Sequence, residues 1–345
     1  MKRAGSRKLW FTLLYAAVMA VMAYVLVYMP TPYLIYRPGS AEEVKPMVSV
    51  KDGDPTEQGT FMMTTVSASY ANWLMLGLVK GDRNAEVRTK ESRLQGSSED
   101  EYAAKQVYYM DNSQSSAIEA AYKKAGVAYR IVPQYIYVLE TGAGADPFFH
   151  PGDKIVEVDG ESVEESDDLQ HILKGKQPGD SVAVKLDRKG EGVSGMVKLT
   201  TVKDTASGEQ RTGFGVGIAT LRTIVPESAG HEITFSSTDV GGPSAGLMFT
   251  LEIYNQLTPG DLSKGYRIAG TGTINKEGTV GAIGGVGHKI VAADREHAEI
   301  FFVPEENAGA AEAKAKQIGT GMKLVSVRTL DDALHYLDAL PVKEQ

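Results

Sequence analysis

Ser244 lies in a glycine-rich stretch, Asp239-Val-Gly-Gly-Pro-Ser-Ala-Gly246, that runs directly into the apolar segment 247–257. At such an entry to a helix the first backbone N–H groups have no intrahelical acceptor, so they suit a developing oxyanion. Those of Ser244 and Ala245 are the candidates. Lys289 follows 45 residues later, in Gly281-Ala-Ile-Gly-Gly-Val-Gly-His-Lys289, at the start of another largely apolar helix. A lysine taken out of water loses stability as an ammonium, and its pKa falls towards neutrality, where the amine is a usable base. A Ser–Lys pair is one variant of the nucleophile–base arrangement. Other readings stand beside it. Residues 242–246 satisfy the Gly-x-Ser-x-Gly elbow, although only 101 residues remain for the rest of that fold. The glycines before Lys289 approach a phosphate loop, but His288 and Ile290 occupy positions that need Gly and Ser or Thr. His231, His288 or His297 with Asp239 or Asp294 would complete a triad, yet no spacing selects one. Ser244 and its glycines also serve simply to begin a helix.

The elements that must hold these residues alternate. After residue 212 the pattern predicts strands at 300–303 and 323–327 and helices at 308–318 and 330–340. Upstream, Gly59-Thr-Phe-Met-Met-Thr-Thr-Val-Ser67 is rich in β-formers and predicts a strand. Residues 99–125 lack Gly and Pro and carry apolar groups at helical spacing, so a helix ending at Gly126 is expected. Residues 42–51 are expected as a lead-in strand, 72–78 as a short apolar piece, 80–98 as loop, and 204–211 as a polar linker.

Lys2, Arg3, Arg7 and Lys8 precede an uncharged run of 21 residues, 9–29, the length that crosses a hydrocarbon core of about 30 Å. Trp10, Tyr24, Tyr28 and Tyr33 lie near its ends, as interfacial aromatics do, and the basic cluster predicts a cytoplasmic N-terminus. A cleaved signal peptide is the competing reading, but the apolar run continues past Ala23. An uncleaved single-pass anchor, with the remainder outside the cell membrane, is the expectation.

The run His150-Pro-Gly-Asp-Lys-Ile-Val-Glu-Val-Asp-Gly160 sets Gly152-Asp153 before a strand and closes it with an Asp-Gly hairpin turn. An amphipathic helix at 167–173, a Pro178-Gly179-Asp180 turn and a strand at 181–186 follow. Residues 127–203 in this order resemble a PDZ domain of the bacterial type. That resemblance implies capture of an extended peptide along a sheet edge, expected here between the strand 135–139 and the helix 167–173.

Ser244 within Gly-Pro-Ser-Ala-Gly, Thr271-Gly272, Lys289 within Gly-Gly-Val-Gly-His-Lys, and Ile300-Phe-Phe-Val-Pro304 together resemble the Lon protease catalytic domain over about residues 212–340. With the anchor and the PDZ-like module, the whole chain resembles the membrane-anchored Lon-like PDZ proteases of the YlbL/SepM type. The resemblance implies an α+β protease fold and endopeptidase action on exported proteins or peptides. It also implies Ser244 as nucleophile, Lys289 as general base and Thr271 as a hydrogen-bonding partner of the dyad. Thr273 and Gly241 depart from the acidic residues of Lon proper, leaving the dyad itself intact. Residues 30–126 are expected to complete the protease fold, with the PDZ module inserted in it; the alternative is a small separate domain between the anchor and the PDZ module. The rival from another class is a non-catalytic PDZ scaffold.

Composition narrows the partners. Zero Cys excludes disulfides, Cys–zinc sites and thiol nucleophiles, and neither a metal nor a cofactor is expected. Beyond residue 8 the chain carries 32 basic against 44 acidic side chains, no footprint for nucleic acid. The 345 residues contain no phosphate loop, so nucleotide binding is not expected.

Overall fold

The computed structural model describes residues 3–343 apart from 57, 204–207 and 237–239. Lys2, Asp239 and the first half of the expected linker therefore lie outside the described residues. The fold mixes α and β, and the chain divides into two units: Met1–Gly39 with Thr65–Gly96, and Ser40–Thr64 with Ser97–Gln345.

In the first unit a helix spans Arg3–Tyr28, and its segment Leu9–Tyr28 is long and apolar enough to cross a membrane. Strand residues 33–36 pair antiparallel with Glu86–Thr89. The expected loop at 80–98 thus contains a strand, followed by a helix at Lys90–Leu94. All four residues of that strand are exposed, so no apolar alternation marked it; backbone pairing and the Arg88 guanidinium over the Tyr36 ring hold it. The short apolar piece is a helix, Trp73–Leu78, capped by the Asn72 side chain on Met75 N–H.

The second unit holds a parallel set of strands in the order Lys323–Val327, Ile300–Pro304, Arg267–Gly270, then residues 60–63 of the strand Thr60–Asn72. Period-two alternation sends Phe61, Met63, Ile268, Ile300 and Phe302 into one hydrophobic cluster. Met62, Ala269, Phe301 and Val303 enter another. The first cluster takes side chains from the helices Glu99–Ala125, Gly246–Leu257 and Leu330–Asp338, the second from Val286–Arg295 and Ala308–Ile318. Phe61, Phe301 and Phe302 are fully buried, each contributing about 1.5–3 kcal/mol. The helix Glu99–Ala125 is the one expected from the sequence, opened by a Ser98/Glu101 capping box and closed by Gly126 at positive φ. The expected lead-in strand at 42–51 is broken instead: Pro46 sits in a 3-10 turn, Lys45–Met47, between strands Pro30–Glu43 and Val48–Val50.

A second sheet has the order Val216–Pro226, Tyr129–Thr141, Lys154–Val158, Ser181–Arg188, Glu191–Lys198. Ile136, Val138, Ile155, Val158, Val182, Val184 and Leu186 make its core with Leu169 of the helix Ser166–Leu173. Asp159 and Gly160 both adopt positive φ, forming the predicted hairpin turn. Asp153 does more than turn the chain. It is buried and takes a two-point bond from Arg188, Nε and Nη2 each at 2.7 Å, while accepting from His150 N–H.

One expectation fails here. The strand 135–139 is not an edge, because Tyr135, Ile136, Tyr137 and Val138 pair with residues 218–221, and Ile136 and Tyr137 pair on the other side with residues 154–155. The edge belongs to Val216–Pro226. This strand enters from beyond the polar linker, and Val216 and Ile218 settle on the apolar core.

Candidate active site and peptide groove

Residues 60–63 pair with 267–270, and 268–270 with 300–302, so Thr64, within the strand Thr60–Asn72, and Thr271 both stand just past the carboxyl end of the parallel-paired stretch. Open parallel sheets place their ligand crevices at these ends. Ser244 arrives there on a 3-10 turn, Pro243–Ala245, that leads straight into the helix Gly246–Leu257. The turn needs Gly242 at φ 93°, where a side chain would be strained. No strand runs directly into it, as a nucleophile elbow would require, since residues 240–242 are irregular.

The turn is held from two sides. Gly242 N–H donates to Gln106 O at 3.1 Å, and Ser113 Oγ donates to Pro243 O at 3.1 Å, both partners lying on the helix Glu99–Ala125. Opposite, Gly272 N–H and Thr271 Oγ1 donate to the Ser244 carbonyl at 2.9 and 3.0 Å. Thr271 is fully buried and touches the serine through its main chain.

Lys289 sits on the inner face of Val286–Arg295, beside Val286, Ile290 and Ala293, and is 3% exposed. Its Nζ donates to Thr64 O at 2.6 Å and lies 3.0 Å from Ser244 Oγ. Burial lowers its pKa from the usual 10.5 to about 7. Burial thus favours the neutral amine, and its nitrogen lies within reach of a serine hydroxyl. The fold therefore brings Ser244, Ala245, Thr271 and Lys289 together. His297 is exposed beyond the end of the lysine helix and His231 lies in a turn after the edge strand. Thr64, Gln106 and Ser113 were not singled out by the sequence. Thr64 and Gln106 act through main-chain carbonyls, which carry no residue-type signal.

A cavity of about 590 Å³ lies between the edge strand, at residues 216–218, and the helix Ser166–Leu173, where Leu169, Gln170 and Leu173 line it. Gly213-Phe214-Gly215 forms its head, with Gly215 at φ 73°. A Cβ there would come within 2.9 Å of Ala145 N, so only glycine fits. The Gly-Phe-Gly sequence just before the strand is the signal that would have revealed this loop.

Residues 233–339 match the Lon protease (S16) C-terminal proteolytic domain, and residues 130–199 match the PDZ domain. Among curated proteins, Lon protease 2 of Bacillus subtilis is 26% identical over 173 residues, 48% of this chain and 30% of that protein. Lon protease of Lachnoclostridium phytofermentans is 27% identical over 132 residues, 35% of this chain and 16% of that protein. Lon protease of Buchnera aphidicola is 33% identical over 114 residues, 33% of this chain and 13% of that protein. The chain thus spans less than a third of the length of these relatives. Among solved structures, the PDZ domain of the SdrC-like protein from Listeria monocytogenes is 23% identical and covers 25% of this chain and 88% of that chain, at a TM-score of 0.21. The chain combines a Lon-type proteolytic domain with a PDZ domain.

Proposed function

We propose that this protein is a membrane-anchored serine endopeptidase that uses Ser244 and Lys289 as a dyad and cleaves exported proteins or peptides without ATP. The observation that carries the reading is the 3.0 Å approach of Lys289 Nζ to Ser244 Oγ, with the amine buried and its pKa lowered to about 7. Neutral Lys289 takes the hydroxyl proton as Ser244 Oγ bonds to the scissile carbonyl carbon. The carbonyl oxygen becomes an oxyanion facing the N–H groups of Ser244 and Ala245. Lys289 then gives its proton to the leaving amine as the C–N bond breaks, and a water, deprotonated in turn by Lys289, releases the acyl group from Ser244. Thr271 positions Ser244 through its carbonyl.

In this reading residues 40–64 and 97–125 complete the proteolytic domain, and the PDZ domain is inserted in it. The parallel pairing of residues 60–63 with 267–270 and the packing of Glu99–Ala125 against the serine turn support that assignment. The groove between Val216–Pro226 and Ser166–Leu173 takes an extended peptide as an added strand. The helix Arg3–Tyr28 crosses the cell membrane with the basic N-terminus in the cytoplasm, supported by its length and composition. A fluorophosphonate probe tests the enzyme reading. Labelling of Ser244 in the wild type and its absence in Ser244→Ala is expected, whereas an unreactive wild type would return the chain to the class of binding scaffolds.

A further inference from the structure

We propose that the short helix Trp73–Leu78 is a second membrane contact, with Trp73, Leu74 and Leu78 seated in the interfacial layer of an anionic bilayer. This rests on the anchor reading of Arg3–Tyr28 given above. Asn72, which caps the short helix, also donates from Nδ2 to Val27 O at 2.8 Å. Val27 is one of the last four residues of the long helix, whose carbonyls have no intrahelical donor. The bond therefore ties the start of the short helix to the outer end of the membrane segment. At 100° per residue Trp73, Leu74, Gly77 and Leu78 share one side, while Met75 and Leu76 face the other. Met75 and Leu76 pack on Ile35, Ala71 and Val79. Trp73, Leu74 and Leu78 are 49%, 45% and 71% exposed. A Cβ added at Gly77 would meet nothing within 4 Å. Tyr28 and Met29, at the membrane exit, are exposed as well.

Charge selects the same occupant. Beyond the N-terminal basic cluster, the first unit holds six basic residues (Arg37, Lys80, Arg83, Arg88, Lys90 and Arg93) against Asp82, Glu86 and Glu91. The second unit holds 26 Lys+Arg against 41 Asp+Glu. Lys80 and Arg83 follow the short helix directly and are exposed. An apolar face with an aromatic at its start and cations just beyond it suits a headgroup layer carrying negative charge.

The chain has two tryptophans, Trp10 and Trp73, so each reading has its own reporter. Full-length Trp10→Phe and Trp73→Phe are reconstituted into vesicles of three parts phosphatidylcholine to one part phosphatidylglycerol, with bromine placed high on the acyl chains. Trp73 is expected to lose most of its emission to the bromolipid and little to aqueous iodide present on both sides. The loss should be smaller in phosphatidylcholine alone and in Leu74→Ser/Leu78→Ser, whose circular dichroism should match the parent. Trp10 quenched by bromolipid with Trp73 open to iodide overturns the second contact while the anchor stands. Trp73 shielded from both quenchers puts a protein surface, a second copy or a partner, on this face and overturns it too. Trp10 unquenched by lipid removes the anchor itself. Equal Trp73 quenching in both vesicle types overturns the preference for an anionic surface.

Discussion

Lys289 and Thr64 meet across 225 positions of sequence, Nζ donating to the main-chain carbonyl at 2.6 Å. That bond uses one amine proton and leaves the nitrogen facing Ser244 Oγ at 3.0 Å. A main-chain carbonyl within the strand Thr60–Asn72 thus orients the Lys289 amine, and burial lowers its pKa.

Ser244→Ala and Lys289→Arg should each abolish peptide cleavage while the circular dichroism spectrum is kept. Arginine retains the charge and cannot release its proton. In the wild type kcat/KM should fall about tenfold per pH unit below the lysine pKa of about 7 and level off above it, because only the neutral amine is a base. Turnover by Lys289→Arg, or an acid limb abolished by replacing a histidine, would point to a different base.

Lys289 should cost stability. Its folded pKa lies below the unfolded value, so the native state binds fewer protons between pH 7 and 10.5 and its stability there rises with pH. Lys289→Met should therefore be the more stable protein, with its advantage largest below pH 7. Above pH 7 the advantage should shrink by about 1.4 kcal/mol per unit. Urea denaturation at pH 6 and pH 9 measures both, and an advantage independent of pH would mean that the lysine is not desolvated.

Ser113 and Gly246 should be energetically coupled. Ser113→Ala removes the bond to Pro243 O and should cost about 1–2 kcal/mol, with kcat reduced more than KM is raised. A Cβ on Gly246 would lie 2.8 Å from Ser113 Oγ, so Gly246→Ala should be destabilising by about 1–3 kcal/mol. In the double variant the Ser113 Oγ contact is gone while those with Ile274 Cγ2 and N at 2.9 and 3.1 Å remain, and the combined cost should be somewhat less than the sum. Strict additivity would count against the packing described.

The groove should act on capture. Gln170 is exposed and lines the cavity, so Gln170→Trp should fill it without touching the core. Cleavage of a native protein substrate should show raised KM and little change in kcat, while short generic peptides are cut as before. Equal losses on both would assign the module to shaping the protease cleft.

Arg188→Ala should unfold the PDZ sheet more readily, by about 3–5 kcal/mol, because buried Asp153 is left without its partner. Arg188→Ala/Asp153→Ala should recover part of that loss in thermal melts. If the double variant were no better than the single, the pair would not be the source of the effect.

ATP with magnesium should leave peptide cleavage unchanged, since no phosphate loop occurs in the 345 residues and Lys289 is buried on its helix. Reproducible stimulation of the purified chain would reveal a nucleotide site.

Ser244 and Lys289 were singled out by residue type and local spacing, and Thr271 only through the family resemblance. A helix entry rich in glycine, a largely apolar helix holding one lysine and the continuous apolar run Ile300-Phe301-Phe302-Val303 each declare themselves through local chemistry and pattern. So did the Asp159-Gly160 turn and the helix Glu99–Ala125, whose caps are local. Three things came only from the tertiary structure. Thr64 holds the Lys289 amine through a carbonyl, a group every residue possesses. The edge of the second sheet was taken by Val216–Pro226, because strand partnership depends on where the chain returns after a linker, not on either strand's own sequence. The side of Trp73–Leu78 that remains bare was decided by what Met75 and Leu76 found to pack against. Sequence fixes what a residue can do locally, whereas neighbours far along the chain decide which backbone groups, edges and faces are left for function.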